Sequence, residues 1–278
     1  MVIGEDPEYQ LAPYDENGEN HMEFVDDTAE VLDQWENGKY EEDNGKKISM
    51  KKKYLTIENF VSKYFGYLIE DGKYGYNKNP QAKWDWYSLG GRWRGFFKLK
   101  SKSKVGRIIG NSGVGGNDPT FDSDQSPKSE IDFKGMEEIA AKKAGDQFDK
   151  TMEVIGNLPP NETWKEVREK YPDDIDKARE EYHEQPRVKA SKDLRGFGFY
   201  DSVDDYLCNR KEFVKRATEG VYIPFAIIKN GEWFEKGSMG WWGIVVNEKE
   251  QTSWNKEVHK LIQALPEYTL ISLFDCHI

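Results

Sequence analysis

The stretch Asn79–Lys98, NPQAKWDWYSLGGRWRGFFK, sets three tryptophans, a tyrosine, two adjacent glycines and two arginines in one continuous run. An amphipathic helix needs apolar residues at three- and four-residue steps. Here Trp84, Trp86 and Trp93 flank Gly90-Gly91, a pair that breaks helices and permits positive φ. The reading is a short alternating segment from Trp84 to Tyr87, then a glycine turn, then a strand from Arg92 to Lys100. That strand would enter the sheet of an α+β fold.

A second run of the same composition lies far downstream at residues 233–243, WFEKGSMGWWG, so seven of the nine tryptophans fall within residues 84–93 or 233–254. Burying one such ring removes roughly 150 to 250 Å² from water, about 4 to 6 kcal/mol. So many rings are costly to leave exposed, and the two runs are expected to meet around one cavity. Charged residues are interleaved with the rings, and buried charge is costly unless paired or used. Lys83, Trp84, Asp85, Trp86 and Tyr87 on one side of the turn, with Gly90, Gly91, Arg92 and Trp93 within and after it, are the first candidate ligand-binding group. Met239, Trp241 and Trp242 are the second. Aromatic rings stack on bases, arginine forks onto phosphate, and glycines let backbone amides approach an anion, so the combination suits a nucleotide-sized ligand. The same residue types also make protein–protein hot spots. Arg92 either meets a ligand phosphate or forms a structural pair with Asp85.

Around these runs the chain alternates strand and helix signals. Residues 26–35, 54–65, 136–148, 163–171, 173–184, 202–217 and 254–265 have helical periodicity, with Thr56 and Asp201 or Ser202 among the caps. Residues 222–229 and 232–235 flank Asn230-Gly231, the strongest short hairpin signal. Residues 241–246 and 269–277 read as further strands. The expected fold is α+β, an antiparallel or mixed sheet with helices on one side and a ferredoxin-like β-β-helix-β ending. Residues 1–100 and 218–278 form its two parts, and residues 101–217 are a charged helical insertion. GNSGVGGNDP within that span lacks the Lys-Ser/Thr pair of a phosphate loop and reads as a connection.

Catalytic signals are sparse. Asp275 and His277, two apart on a strand, share a face and are the candidates for a general base or a metal pair, as in a phosphate-ester hydrolase. No nucleophile motif or metal-ligand spacing accompanies them, so no metal and no cofactor is expected. The chain of 278 residues has net charge −11, which argues against general nucleic-acid binding. Residues 1–45 hold fifteen acids against one lysine, whereas the remainder is slightly basic. Leu11, Tyr14, Phe24, Val25, Leu32 and Trp35 are expected to anchor this acidic segment while its carboxylates stay in water. No apolar run is long enough for a membrane span, the opening MVIG carries no basic leader, and two cysteines suggest a reducing cytoplasm.

The segments LAPYDEN (residues 11–17), NPQAKWDWYSLGGRW (79–93), IDFKGM (131–136), EKGSMGWWG (235–243) and DCHI (275–278) resemble a family of uncharacterised bacteriophage and prophage proteins. The match is scattered over most of the chain, and this chain departs from the pattern in its short first strand. The resemblance implies a phage setting in a host cytoplasm and carries over no functional residue. Accessory phage proteins act against host defences, including by sequestering nucleotide signals. The leading expectation is therefore a non-catalytic counter-defence protein that sequesters a small nucleotide-derived ligand. The alternatives are an acidic inhibitor of a host nuclease or defence effector, and a metal-assisted phosphate-ester hydrolase. Oligomeric state is left open.

Overall fold

Short β-branched runs, too brief to stand alone, build the centre by pairing across the whole chain. The computed structural model describes residues 1–42, 44–112, 118–192, 194, 202–240 and 244–277. The strands that position the site are β1 (Val2–Ile3), β2 (Trp86–Leu89), β3 (Gln125–Pro127), β4 (Ala226–Lys229), β5 (Glu232–Glu235), β6 (Leu270–Ser272) and β7 (Phe274–His277). Five of them make a mixed sheet in the order β5-β4-β1-β6-β3, with β1 parallel to β4 and the other pairs antiparallel. Asn230 and Gly231 turn β4 into β5 at φ 54° and 77°, the left-handed pair that a two-residue hairpin needs. Together with three long helices, α1 (Phe133–Ile155), α2 (Arg210–Gly220) and α3 (Gln251–Ala264), this is an α+β fold.

Alternation along the strands gives the sheet two apolar faces. Ile3, Ile227 and Ile271 pack on Trp254, Val258 and Ile262 of α3. Val2 and Ile228 face the other way, onto Leu11, Tyr14 and Trp84. Within residues 101–217, β3 closes one sheet edge and Met136 in the first turn of α1 joins the main core. The far end of α1 belongs to a second core, where Phe148 and Ile155 meet Val167, Ala178, Tyr182 and Tyr206. The capping box at Thr163 and Glu166 starts the helix Trp164–Lys170 in that layer.

Several segments depart from the sequence reading for local reasons. Residues 92–100 are not a strand: Gly90, Gly91 and Gly95 all take positive φ, so the chain coils through a 3-10 turn at Gly91–Trp93. Only Phe97 and Leu99 then make single bridges, to Ser123 and Ile131. The strand on this side is β2, two residues later than the expected Trp84–Tyr87 segment. The terminal strand splits at Leu273, where β6 stays in the sheet and β7 leaves it to pair with β2. Residues 202–217 divide as well: Ser202 caps a 3-10 turn, and Asn209 caps α2. Of the strand expected at residues 241–246, Val245–Val246 pairs with Ser238–Met239, and residues 241–243 lie outside the described residues.

The acidic segment does not simply line a groove. Leu11 and Tyr14 are buried against the central sheet, but residues 23–78 build a small core of their own around Val31, Met50, Phe60 and Val61. Leu32, expected as an anchor, is exposed because Val31 takes the inward position of the helix Thr28–Asn37. No helix among the described residues is long and apolar enough to cross a membrane.

Candidate functional site

The glycine pair is required by two buried carboxylates. Gly90 and Gly91 bring the turn so close that a Cβ on Gly90 would lie 2.2 Å from Asp124 Oδ2, and one on Gly91 would lie 2.3 Å from Asp275 Cβ. Asp124 accepts hydrogen bonds from the backbone N–H groups of Phe96 and Gly110, both at 3.0 Å. Asp275, at 1% exposure, accepts from the Arg92 backbone N–H at 2.9 Å and from the Arg92 guanidinium, with Nη2 to Oδ1 at 2.6 Å. Nε of the same fork lies 3.0 and 2.9 Å from the two oxygens. Arg92 is thus paired with Asp275 and not with Asp85. Its guanidinium also lies over the Trp93 ring, 4.7 Å from the centroid.

Beside this turn lies a cavity of about 360 Å³, walled by both tryptophan runs. Lys83, Arg92 and Trp93 come from the first, and Trp233, Glu235 and Met239 from the second. Strand alternation explains the second set, since Trp233 and Glu235 share one face of β5. Trp233 is seated by the Tyr14 ring at 5.1 Å, while the Tyr14 hydroxyl donates to the Gly231 carbonyl at 2.7 Å. Trp233 Nε1 donates to Glu235 Oε2 at 2.8 Å, and Lys83 Nζ donates to Glu235 Oε1 at 3.0 Å. Val2, Leu11, Phe96, Ile228 and Phe274 add apolar wall. Cys276 also borders the cavity, and burial, reinforced by the Asp275 carboxylate, pushes its thiol up to about 11.

The four charges are ordered by depth. Asp275 and Glu235 are 1% and 19% exposed in their side chains, whereas Arg92 and Lys83 are 49% and 33% exposed. Each carboxylate therefore sits behind its cation and holds it, and an entering molecule meets the cations first.

The remaining candidates are distributed differently. Trp84 is core, buried between Leu11 and Tyr14 and edge-on to Tyr87 at 5.0 Å, with Nε1 unpartnered. Tyr87 is half-buried in the same cluster, and burial raises its hydroxyl above the usual range. Asp275 and His277 do not act as one pair: His277 Nδ1 lies 2.8 Å from Asp85 Oδ1, and the imidazole stacks on Trp86 at 5.2 Å and 14°. Trp241 and Trp242 lie outside the described residues. Among the described residues no group of three or more His, Cys, Asp or Glu is placed to hold a metal ion.

Sequence reasoning did not single out Glu235, although alternation from Trp233 places it on the cavity face. Asp124 offered no such signal, because its role comes from an approach of Gly90 that only the folded chain creates. Comparison with known proteins yields no match: no family model fits the chain, and no curated protein or solved structure is similar to it.

Proposed function

We propose that this protein binds a small nucleotide-derived anion in the cavity between the two tryptophan runs and holds it without turning it over. The observation that carries this reading is that Lys83 and Glu235, 152 residues apart, meet across one aromatic-walled cavity with the cations on its solvent side. The volume lies toward the lower end of the roughly 300 to 1,000 Å³ of ligand pockets. Trp233 and Phe96 supply ring surface for a base, and Lys83 and Arg92 supply the charge that a phosphate requires. In a phage setting, such retention would withdraw a signal from host defence.

The test is to incubate the purified protein with cyclic and ADP-ribose-derived nucleotides, remove the excess, release the retained fraction by heat and identify it. Intact nucleotide supports sequestration. Altered nucleotide identifies an enzyme, and no retention removes this reading.

A second reading follows from the acidic segment, whose carboxylates at Glu5, Glu8, Glu16, Glu19 and Glu30 are all exposed. They form a face able to meet a basic partner such as the nucleic-acid groove of a host effector. Reversing these five to lysine should leave nucleotide retention intact or slightly stronger. A variant that retains nucleotide yet loses all counter-defence activity would favour the inhibitor reading instead.

A further inference from the structure

The ribbon formed by β2 and β7 has one face that meets the cavity at Asp275, beneath Arg92, and continues beyond it to Trp86 and His277. Its register sets Trp86 opposite His277 and Ser88 opposite Asp275, so these four side chains lie on one face by strand alternation. Asp275 is covered by the Arg92 fork, and His277 follows two residues later, about 7 Å along the strand. Trp86 and the His277 side chain are 37% and 52% exposed although the two rings stack on one another.

That stack is held in place. Asp85 Oδ1 at 2.8 Å from Nδ1 sets the imidazole plane, and the Asp85 backbone N–H donates to the His277 carbonyl at 3.0 Å. A carboxylate accepts, so Nδ1 carries the proton. The result is a fixed, exposed ring pair two residues along β7 from Asp275, the carboxylate that holds the Arg92 guanidinium at the cavity. Its mate on the cavity side is Trp233.

From this arrangement we infer that the ligand carries two ring systems joined through phosphate, one ring entering the cavity beside Trp233 and the other lying on the Trp86–His277 stack, with Arg92 between them. This rests on the cavity being a nucleotide site. A cavity of about 360 Å³ suits one ring with its sugar, which leaves the second half of a dinucleotide to the outer platform. Each ring adds its own stacking contribution, and tethering the two makes the second contact intramolecular.

The experiment compares, for adenine and guanine in turn, the 5′-mononucleotide with its linear and cyclic dinucleotides by titration calorimetry. A dinucleotide should bind about tenfold or more tightly than the matching mononucleotide. Trp86→Ala and His277→Ala should each remove most of that advantage and leave mononucleotide affinity unchanged. Trp86→Phe, which keeps a ring, should restore part of it. Equal binding of mono- and dinucleotides overturns the two-ring inference while leaving the cavity reading intact. The inference falls in the same way if the Ala variants keep the wild-type preference for dinucleotide, or if they weaken both ligands equally while melting at the wild-type temperature. Absence of binding by every probe overturns both readings.

Discussion

The two faces of the central sheet are made by the same strands and covered in opposite ways. On one face Ile3, Ile227 and Ile271 meet α3, whose Trp254, Val258 and Ile262 recur at helical spacing and pack against them. On the other, Val2 and Ile228 meet an irregular cover of turns and rings, and a cavity remains there, bordered also by Met1 and Leu273 from the end of the helix-side core. A regular helix presents an even ridge of side chains that interdigitates with a sheet. Glycine turns and tilted rings do not, and the unfilled space collects charge where each carboxylate can be buried behind a cation.

The sharpest way to break this contrast is at Gly91. Gly91→Ala adds a Cβ at φ 52°, 2.3 Å from Asp275 Cβ, where it displaces a buried ion pair. We expect a loss of about 4 kcal/mol in denaturant unfolding. A cost under about 1 kcal/mol would show that the turn is not held against Asp275.

Next in size is Arg92→Ala, expected to cost about 3 kcal/mol because Asp275 is left buried with little compensation. Half of the Arg92 side chain is in water, which keeps the figure toward the low end of the range. The double variant Arg92→Ala with Asp275→Asn should recover part of that stability, whereas nucleotide retention should stay lost. If the second change recovers nothing, the pair does not carry the stability assigned to it.

Cys276 probes the cavity wall through pH. Burial raises the thiol from 9.0 to about 11, so at pH 8 the reactive thiolate is about a hundredfold rarer than in the unfolded chain. Because the folded value lies above the unfolded one, the proton is retained through that window and reactivity rises as pH approaches 11. Alkylation of Cys276 at pH 8, followed by mass spectrometry, should be slower by about that factor in native protein than in denaturant. A bound ligand should slow it further, and equal rates would place Cys276 in open solvent.

The smallest effect compares the faces directly. Ile271→Ala on the closed face should cost about 4 kcal/mol. Ile228→Ala should cost about 1 kcal/mol less, because its side chain borders the cavity. Equal costs would mean that the cavity side is packed as tightly as the helix side.

Much of the local architecture was legible in residue order. Asn230-Gly231 specifies its hairpin through positive φ, Thr56 caps its helix by accepting from the Asn59 N–H, and α3 shows its apolar stripe. That the two runs would approach one another was legible in part, since Trp93 and Trp233 border one cavity, while Trp84 went to the core and Trp86 to a stack on His277. The trace between Gly91 and Lys100 was not. An apolar run reads as a strand until three positive-φ glycines are placed, and glycine permits that conformation without demanding it.

What the sequence by itself determined, then, is whatever is decided within a few residues: turn chemistry, helix caps, alternation, and the concentration of rings and charges in two runs. Only the tertiary structure decided which carboxylate Arg92 would take. Asp85 is seven residues away and Asp275 is 183, yet the fork goes to Asp275 and Asp85 goes to His277. The split of the last strand at Leu273 was decided in the same way, because the Leu273 N–H donates to the Asp124 carbonyl while its own carbonyl accepts from the Gly90 N–H. The physical reason is that proximity in sequence gives a charge no burial. A carboxylate claims a guanidinium most strongly where water is excluded, and which one loses its water is settled when β7 leaves the central sheet and packs beneath the glycine turn.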